Sequence, residues 1–341
     1  MKPGKTISAL AAAGLLTVGQ PAMAQDVTKF KVASFLPASH HIIEYGTKVW
    51  MDSIKQQLGD KVEIEFYPAS QAGKANQLLD IMKAGALDVV GVPLGYYSDR
   101  FPLFGVVEMP GMVDNPCKGA ATVREMATGD GLFNRVDIAP QGLHPLAFYI
   151  FPPYSAISVN PITSAPDFEG KKLRTAGGAM ELAVKALGGV PVKLSSPEIL
   201  QSLSRGTIDG TLLTYLSAKQ YDLHTVAKNA TAGYSFGGAT IILMMSDARY
   251  KSLSDEMKAA VDEAGIKAEK SYCSFGLDGN QAAADAMAKD GLKVNALNAA
   301  TKADLDKKLA VLSENWAGQL DGKGKPGSEA LKTFRKIYSS K

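Results

Sequence analysis

VEIEFYPASQAGKANQLLDIMKAGALDVVGV, residues 62–92, decides the fold class. Val62 to Tyr67 alternates, the period of a strand with one buried face. Pro68 to Gly73 is a loop of turn-forming residues. Leu78, Leu79, Ile81 and Met82 then face inward from a helix that Gly85 closes. Leu87 to Val92 is a short apolar run suited to a sheet interior. Upstream, Lys29 to Phe35 alternates as a strand and Pro37 to His41 makes a turn. Ile42, Ile43, Val49, Trp50, Ile54 and Leu58 follow at helical spacing, ending at Gly59. Strand, helix, strand, helix, strand is the signature of a doubly wound α/β sheet, whose ligands sit at the carboxyl ends of the strands.

The rest of the chain repeats the theme. Phe101 to Met112, with Pro102 and Pro110, reads as loop and short helix, and Lys118 to Thr128 as a helix. His144–Phe151 and Ala156–Val159 are strands, and the chain leaves its first unit near Pro152-Pro153-Tyr154. A second α/β set follows: strand Lys172–Thr175, helix Ala179–Leu187, strand Val190–Leu194, helix Pro197–Arg205 capped by Ser195-Ser196, and strand Thr207–Leu213. Ala239–Met245 is a buried strand. Ser254 opens a long helix reaching about residue 290. Within it Gly276 and Gly279 each cost about 1 kcal/mol against alanine, which implies a kink or a packing contact. Leu292–Asn295 is a strand and Ala303–Leu320 one helix with Trp316 inward, followed by a polar, glycine-rich tail from Asp321 and a last short helix.

Lys2 and Lys5, the apolar core Ile7–Val18 and Ala22-Met23-Ala24 before Gln25 read as a cleavable secretory signal, residues 1–24. Its removal leaves 341 − 24 = 317 residues, and since it carries two lysines and no acid, the formal net charge falls from +3 to +1. A nearly neutral chain argues against nucleic acid as a partner. No later run approaches the ~18 apolar residues of a membrane span. With 46% hydrophobic residues the mature chain has ample core for one large or two medium domains. Cys117 and Cys273 leave a disulfide and two buried thiols equally open.

Several motifs bear on chemistry. Gly233-Tyr234-Ser235-Phe236-Gly237 matches G-x-S-x-G, but an apolar strand follows where a nucleophile elbow needs a helix. All four histidines, His40, His41, His144 and His224, also precede Ser235, against the chain order of that triad. Gly322–Gly327 matches G-x-G-x-x-G, yet it follows a helix and contains Pro326, so it is a solvated loop rather than a dinucleotide site. No metal-ligand pair such as H-E-x-x-H occurs, and neither metal nor cofactor is expected. His40, at a helix start, is placed to donate to a carboxylate. Aromatic residues gather at strand ends: Tyr96-Tyr97, Tyr149 to Tyr154, Tyr215, and Tyr234 to Phe236. Arg174, at a strand end beside Ala176-Gly177-Gly178, presents a planar, permanently charged fork that matches a carboxylate.

Four stretches in order resemble the solute-binding subunits of tripartite ATP-independent periplasmic (TRAP) transporters over nearly the whole mature chain. They are FYPASQAGKANQLLDIMKAGALD (66–88), FPLFGVVEMPGM (101–112), GKKLRTAGG (170–178) and LSRGTIDG (203–210). The resemblance implies the α/β periplasmic binding protein fold: two lobes joined by crossing strands and a long helix, closing by a hinge. It implies delivery of ligand to a pair of membrane permease subunits driven by an ion gradient. It identifies Arg174 with the arginine that grips the ligand carboxylate. Sialic-acid-type members carry a second arginine a few residues before the position of Pro161-Ile162, where this chain has Tyr154-Ser155. They also carry an asparagine after the D-G, where this chain has Thr211-Leu212-Leu213.

The expectation is therefore a periplasmic, monomeric binding protein, not an enzyme, for a small organic carboxylate. One fixed cation with aromatic walls favours a monocarboxylate with an apolar or aromatic body. The expected ligand residues are Arg174, Tyr154, Tyr215, His40 and Phe236. Lobe I should comprise 25–151 and about 240–280, lobe II 152–239 and about 281–320, with 321–341 as a C-terminal tail. The alternatives are a secreted serine hydrolase using Ser235, and the binding subunit of another uptake or sensing system.

Overall fold

The computed structural model describes Met1 and residues 27–341, so the signal peptide read at the start of the chain falls outside the described residues. The first unit builds β1 (Thr28–Ala33), α1 (Lys48–Leu58), β2 (Val62–Tyr67), α2 (Leu78–Lys83), β3 (Val89–Pro93), α3 (Gly105–Glu108), α4 (Pro116–Ala127) and β4 (Leu143–Ile150). The second builds β5 (Ser155–Ser158), β6 (Lys172–Thr175), α5 (Ala179–Ala186), β7 (Val190–Lys193), α6 (Ile199–Ser204), β8 (Gly210–Leu213), α7 (Tyr215–Gln220) and β9 (Asn229–Ala232). The chain then returns through β10 (Thr240–Ser246), α8 (Asp247–Lys251), α9 (Asp255–Lys289), β11 (Lys293–Ala296), α10 (Ala299–Leu309), α11 (Leu312–Asp321) and α12 (Gly327–Ser340).

The strands form two sheets, ordered β2-β1-β3-β10-β4 and β11-β9-β5-β8-β6-β7. In each, consecutive βα units give parallel pairs, β1 with β2 and β3, and β6 with β7 and β8. A strand that arrives from the other sheet runs antiparallel: β10 between β3 and β4, and β5 between β8 and β9. The fold is thus a two-lobed α/β architecture. The two crossings, 151–154 and 233–239, hydrogen-bond to each other through Phe151 N to Ala239 O (3.0 Å), Tyr154 N to Gly237 O (2.8 Å) and Phe236 N to Tyr154 O (3.0 Å). A paired ribbon of this kind bends without losing its backbone bonds, which suits a hinge.

Helix α9 is the second bridge. Its 35 residues span about 52 Å at 1.5 Å per residue. Ser254 caps it, accepting from Met257 N. It packs on α1, α4 and β4 of the first unit and on α7 and β11 of the second. Trp50 of α1 donates its indole N–H to Val261 O (3.1 Å). A disulfide joins Cys117 of α4 to Cys273 of α9, with Cα atoms 5.0 Å apart, closing the choice that the sequence left open. The helix runs unbroken through Gly276 and Gly279, so both glycines serve packing. A Cβ at Gly276 would stand 3.3 Å from Pro152 Cγ, where the helix passes a crossing segment, and one at Gly279 would stand 3.2 Å from Leu216.

The structure departs from the sequence reading in two places. The single helix expected over Ala303–Leu320 is two, α10 and α11, separated at Ala310-Val311. Leu305 and Leu309 are buried on α10, while Trp316 packs beside Gly105 of α3 and Leu320 beside Gly327 of α12. Strand β9 was not anticipated, because Asn229-Ala-Thr-Ala232 has no apolar alternation; pairing with β5 and β11 makes it a strand. Among the described residues, no helix is long and apolar enough to cross a membrane.

Candidate functional site

The carboxyl ends of the parallel strands of both sheets converge on one cavity, closed down to about 30 Å³ of free space. Phe35 and His40 follow β1, Gly95 and Tyr96 follow β3, and Thr240 opens β10 on the first sheet's side. Arg174 and Ala176 end β6, Ser196 follows β7, and Ser217 and Tyr221 lie on or just after α7 on the second. Phe151 and Tyr154 of the crossing form part of the wall. The lining is aromatic with few polar groups, as in small-molecule sites.

Arg174 is only 1% exposed. Its Nε donates to Leu194 O (2.9 Å), and its Nη2 donates to the Tyr96 hydroxyl (2.8 Å) and to Ser196 Oγ (3.1 Å). These acceptors are all neutral. Among the described residues no carboxylate pairs with Arg174, and Nη1 takes no partner. A buried guanidinium without a counter-ion costs several kcal/mol of desolvation that neutral acceptors repay only in part. The following turn lets the lobes meet: Gly177 has φ +103°, and a Cβ there would lie 2.5 Å from Gly95 O across the cleft.

His40 is buried, and its Nδ1 accepts from Ile42 N (3.3 Å), so the neutral ring carries its proton on Nε2. Burial, and secondarily the neighbouring His41, holds its pKa well below the ordinary histidine value. His41, pushed by burial to about 3, contacts Ser217 Oγ through Nε2 (3.0 Å). The hydroxyls of Tyr221 and Thr240 are buried in the cavity wall without a hydrogen-bond partner among the described residues. Such orphaned groups are costly unless something else meets them. The lobes are closed on each other by Tyr96 with Arg174 and Ser196, and by His41 N with Gln220 Oε1 (3.0 Å).

Of the five residues expected at a ligand, the cavity gathers Arg174, Tyr154 and His40. Tyr215 and Phe236 lie outside it. The Tyr215 hydroxyl donates to Thr231 O, and Phe236 packs at 5.2 Å from Phe168 and 4.9 Å from Tyr234. Both turn away from the cavity, which is lined nearby by Leu213 and Ala239. Ser196, Tyr221 and Thr240 escaped the sequence reading, and Tyr96, read there as a strand-end aromatic, was not among the expected ligand residues. Ser235 sits on the crossing with β10, not a helix, after it, and its Oγ accepts a long bond from Gly237 N (3.4 Å).

Residues 32–319 match the family model of bacterial extracellular solute-binding proteins, family 7. A solute-binding protein of Albidiferax ferrireducens is 27% identical over 211 residues, 61% of this chain and 62% of that protein. The matched stretch therefore spans under two thirds of that relative. The C4-dicarboxylate-binding periplasmic protein DctP of Rhodobacter capsulatus is 26% identical over 67% of this chain and 68% of its own length. A crystal structure of a TRAP solute-binding protein from Rhodoferax ferrireducens with copurified benzoate superposes with a TM-score of 0.82 at 25% identity, covering 92% of this chain and 98% of that one.

Proposed function

This chain belongs to the bacterial extracellular solute-binding proteins of family 7, and we propose that it captures a small organic carboxylate for TRAP-type uptake. The observation that carries the reading is Arg174: a buried cation in an enclosed cavity, held by neutral acceptors, with Nη1 unpartnered. A ligand carboxylate on Nη1 supplies the missing charge, and the His40 Nε2–H and the Tyr221 hydroxyl are further donors to it. Phe35, Phe151 and Tyr154 wall the ligand's body. With one fixed cation in the lining, the ligand is a monocarboxylate with an apolar or aromatic body. The benzoate in the Rhodoferax structure supports this class. The C4-dicarboxylate named for the Rhodobacter relative would require a second positive partner that this cavity lacks.

The family is one of binding proteins, and no bond-breaking group is assigned here. On this reading residues 1–24 are removed on export, and the mature monomer works in the periplasm beside two membrane permease subunits. Lobe I comprises 25–151 and about 240–280, lobe II 152–239 and about 281–320. Ligand contacts to both lobes select the closed form. Replacing Arg174 with alanine tests the reading. A thermal-shift screen of small carboxylates finds the binder, and calorimetry compares the variant. Affinity should fall at least a hundredfold, about 3 kcal/mol, with the circular dichroism spectrum unchanged. Micromolar affinity retained in Arg174→Ala would overturn it.

A further inference from the structure

One side chain is common to the cavity and to a neighbouring cleft. Tyr96 lines the inner space beside Arg174 and Ser196, and it also lines an outer cleft of about 690 Å³ with Lys74, Asn76, Lys193 and Glu198. Lys74 stands on the first lobe's side and Lys193 on the second's, at the end of β7. Among the described residues neither lysine pairs with a carboxylate, while Glu198 accepts from Ser195 N (2.9 Å). The Tyr96 hydroxyl accepts from Arg174 Nη2 (2.8 Å) and from Ser196 N (2.9 Å), and it lies 3.2 Å from Ser196 Oγ. It therefore occupies one arm of the guanidinium and ties the first lobe to the second.

We propose that Tyr96 sets the length and charge class of the ligand. Its ring ends the cavity, so that a short acid fits and the two lysines stay out of reach. Its hydroxyl holds Nη2, so that the ligand carboxylate meets Arg174 through Nη1. Without the ring, cavity and cleft become one trough with Arg174 on the cavity side of the removed ring and two lysines on the cleft side, which suits a dicarboxylate. This inference rests on the reading that Arg174 holds the ligand carboxylate.

The test is calorimetry on the mature wild type, Tyr96→Phe, Tyr96→Ala and Arg174→Ala, with benzoate, hexanoate and pyroglutamate set against succinate, adipate and suberate. Circular dichroism checks folding, and Tyr96→Leu replaces the alanine variant if that one does not fold. The wild type should bind its best monocarboxylate at least tenfold more tightly than any of the diacids. Tyr96→Phe should keep that ranking with every affinity lowered several-fold, because the ring remains and the hydroxyl is lost. Tyr96→Ala should shift the ratio at least tenfold toward adipate or suberate, and adding Lys74→Ala and Lys193→Ala should remove the shift. A folded Tyr96→Ala with the wild-type ratio, or a wild type that binds adipate as tightly as its best monocarboxylate, overturns the role of Tyr96. Undiminished binding in Arg174→Ala overturns the underlying reading instead, and the two failures are separate results.

Discussion

Glu108 is a buried acid that binding does not use, and it yields a stability prediction with a definite sign. It ends α3, is 5% exposed, and its Oε1 accepts from Thr240 N (2.9 Å) at the head of β10. Burial pushes its carboxyl from the usual 4.5 up to about 8, opposed in part by the Thr240 bond. The folded state therefore keeps this proton where the unfolded chain has lost it. Stability is greatest below about pH 4.5, declines as pH rises toward about 8, and the loss is complete above that. The slope is about 1.4 kcal/mol per pH unit for this one group, so at pH 7 its contribution is a loss of about 3 kcal/mol. Asp137, pushed by burial to about 7, adds a slope of the same sign. Glu108→Gln keeps an acceptor for Thr240 N and removes the ionisation. In urea unfolding from pH 5 to 9, the variant should match the wild type at pH 5 and exceed it by about 3 kcal/mol near pH 7. Parallel stability curves for the two proteins across that range would refute the reasoning.

Two further outcomes follow from the same geometry. Binding of benzoate, or of whichever acid the screen selects, should change less than twofold between pH 5.5 and 7, by calorimetry. Burial keeps His40 and His41 uncharged there; a tenfold tightening at pH 5.5 would instead mean that a histidine charges against the ligand. Gly265→Ala should destabilise by at least 3 kcal/mol in thermal or urea unfolding, since its Cβ would stand 1.9 Å from Leu146 O and force α9 away from β4. A loss under 1 kcal/mol would mean that the two elements part without cost.

The fold was legible because each α/β unit carries its own local signal. The alternation of Val62–Tyr67, the apolar run at Leu87–Val92 and the helix start at Ser254 need no tertiary partner to be read. Strand β9 and the break at Ala310-Val311 were not legible, because each depends on neighbours far away in the chain. The site divides in the same way. Arg174 could be reached because a strand end and the family pattern both point at it, and Tyr154 and His40 because each lies beside a strand end. Whether an aromatic residue beside a strand end faces the cleft or the core is a matter of one residue's rotation. Tyr215 and Phe236 turn away from the cleft while Tyr221 and Tyr96 line it, and composition does not distinguish the two pairs.

The neutrality of Arg174's partners is what links the site to closure. A protein carboxylate on this guanidinium would satisfy its charge and hold the lobes together with the cleft empty. Leu194 O, Tyr96 and Ser196 meet its hydrogen-bond directions and leave the charge uncompensated. Burying that charge by closing the lobes is then unfavourable until an anion arrives with them. At an effective dielectric near 20, a carboxylate about 4 Å away restores about 4 kcal/mol, enough to shift a closing equilibrium roughly a thousandfold. Tyr96 makes the same guanidinium a point where the lobes meet, so on the proposed reading the group that recognises the ligand also reports its presence across the cleft. On the proposed reading, a neutral analogue of the ligand's shape should therefore enter the cavity and leave the lobes open.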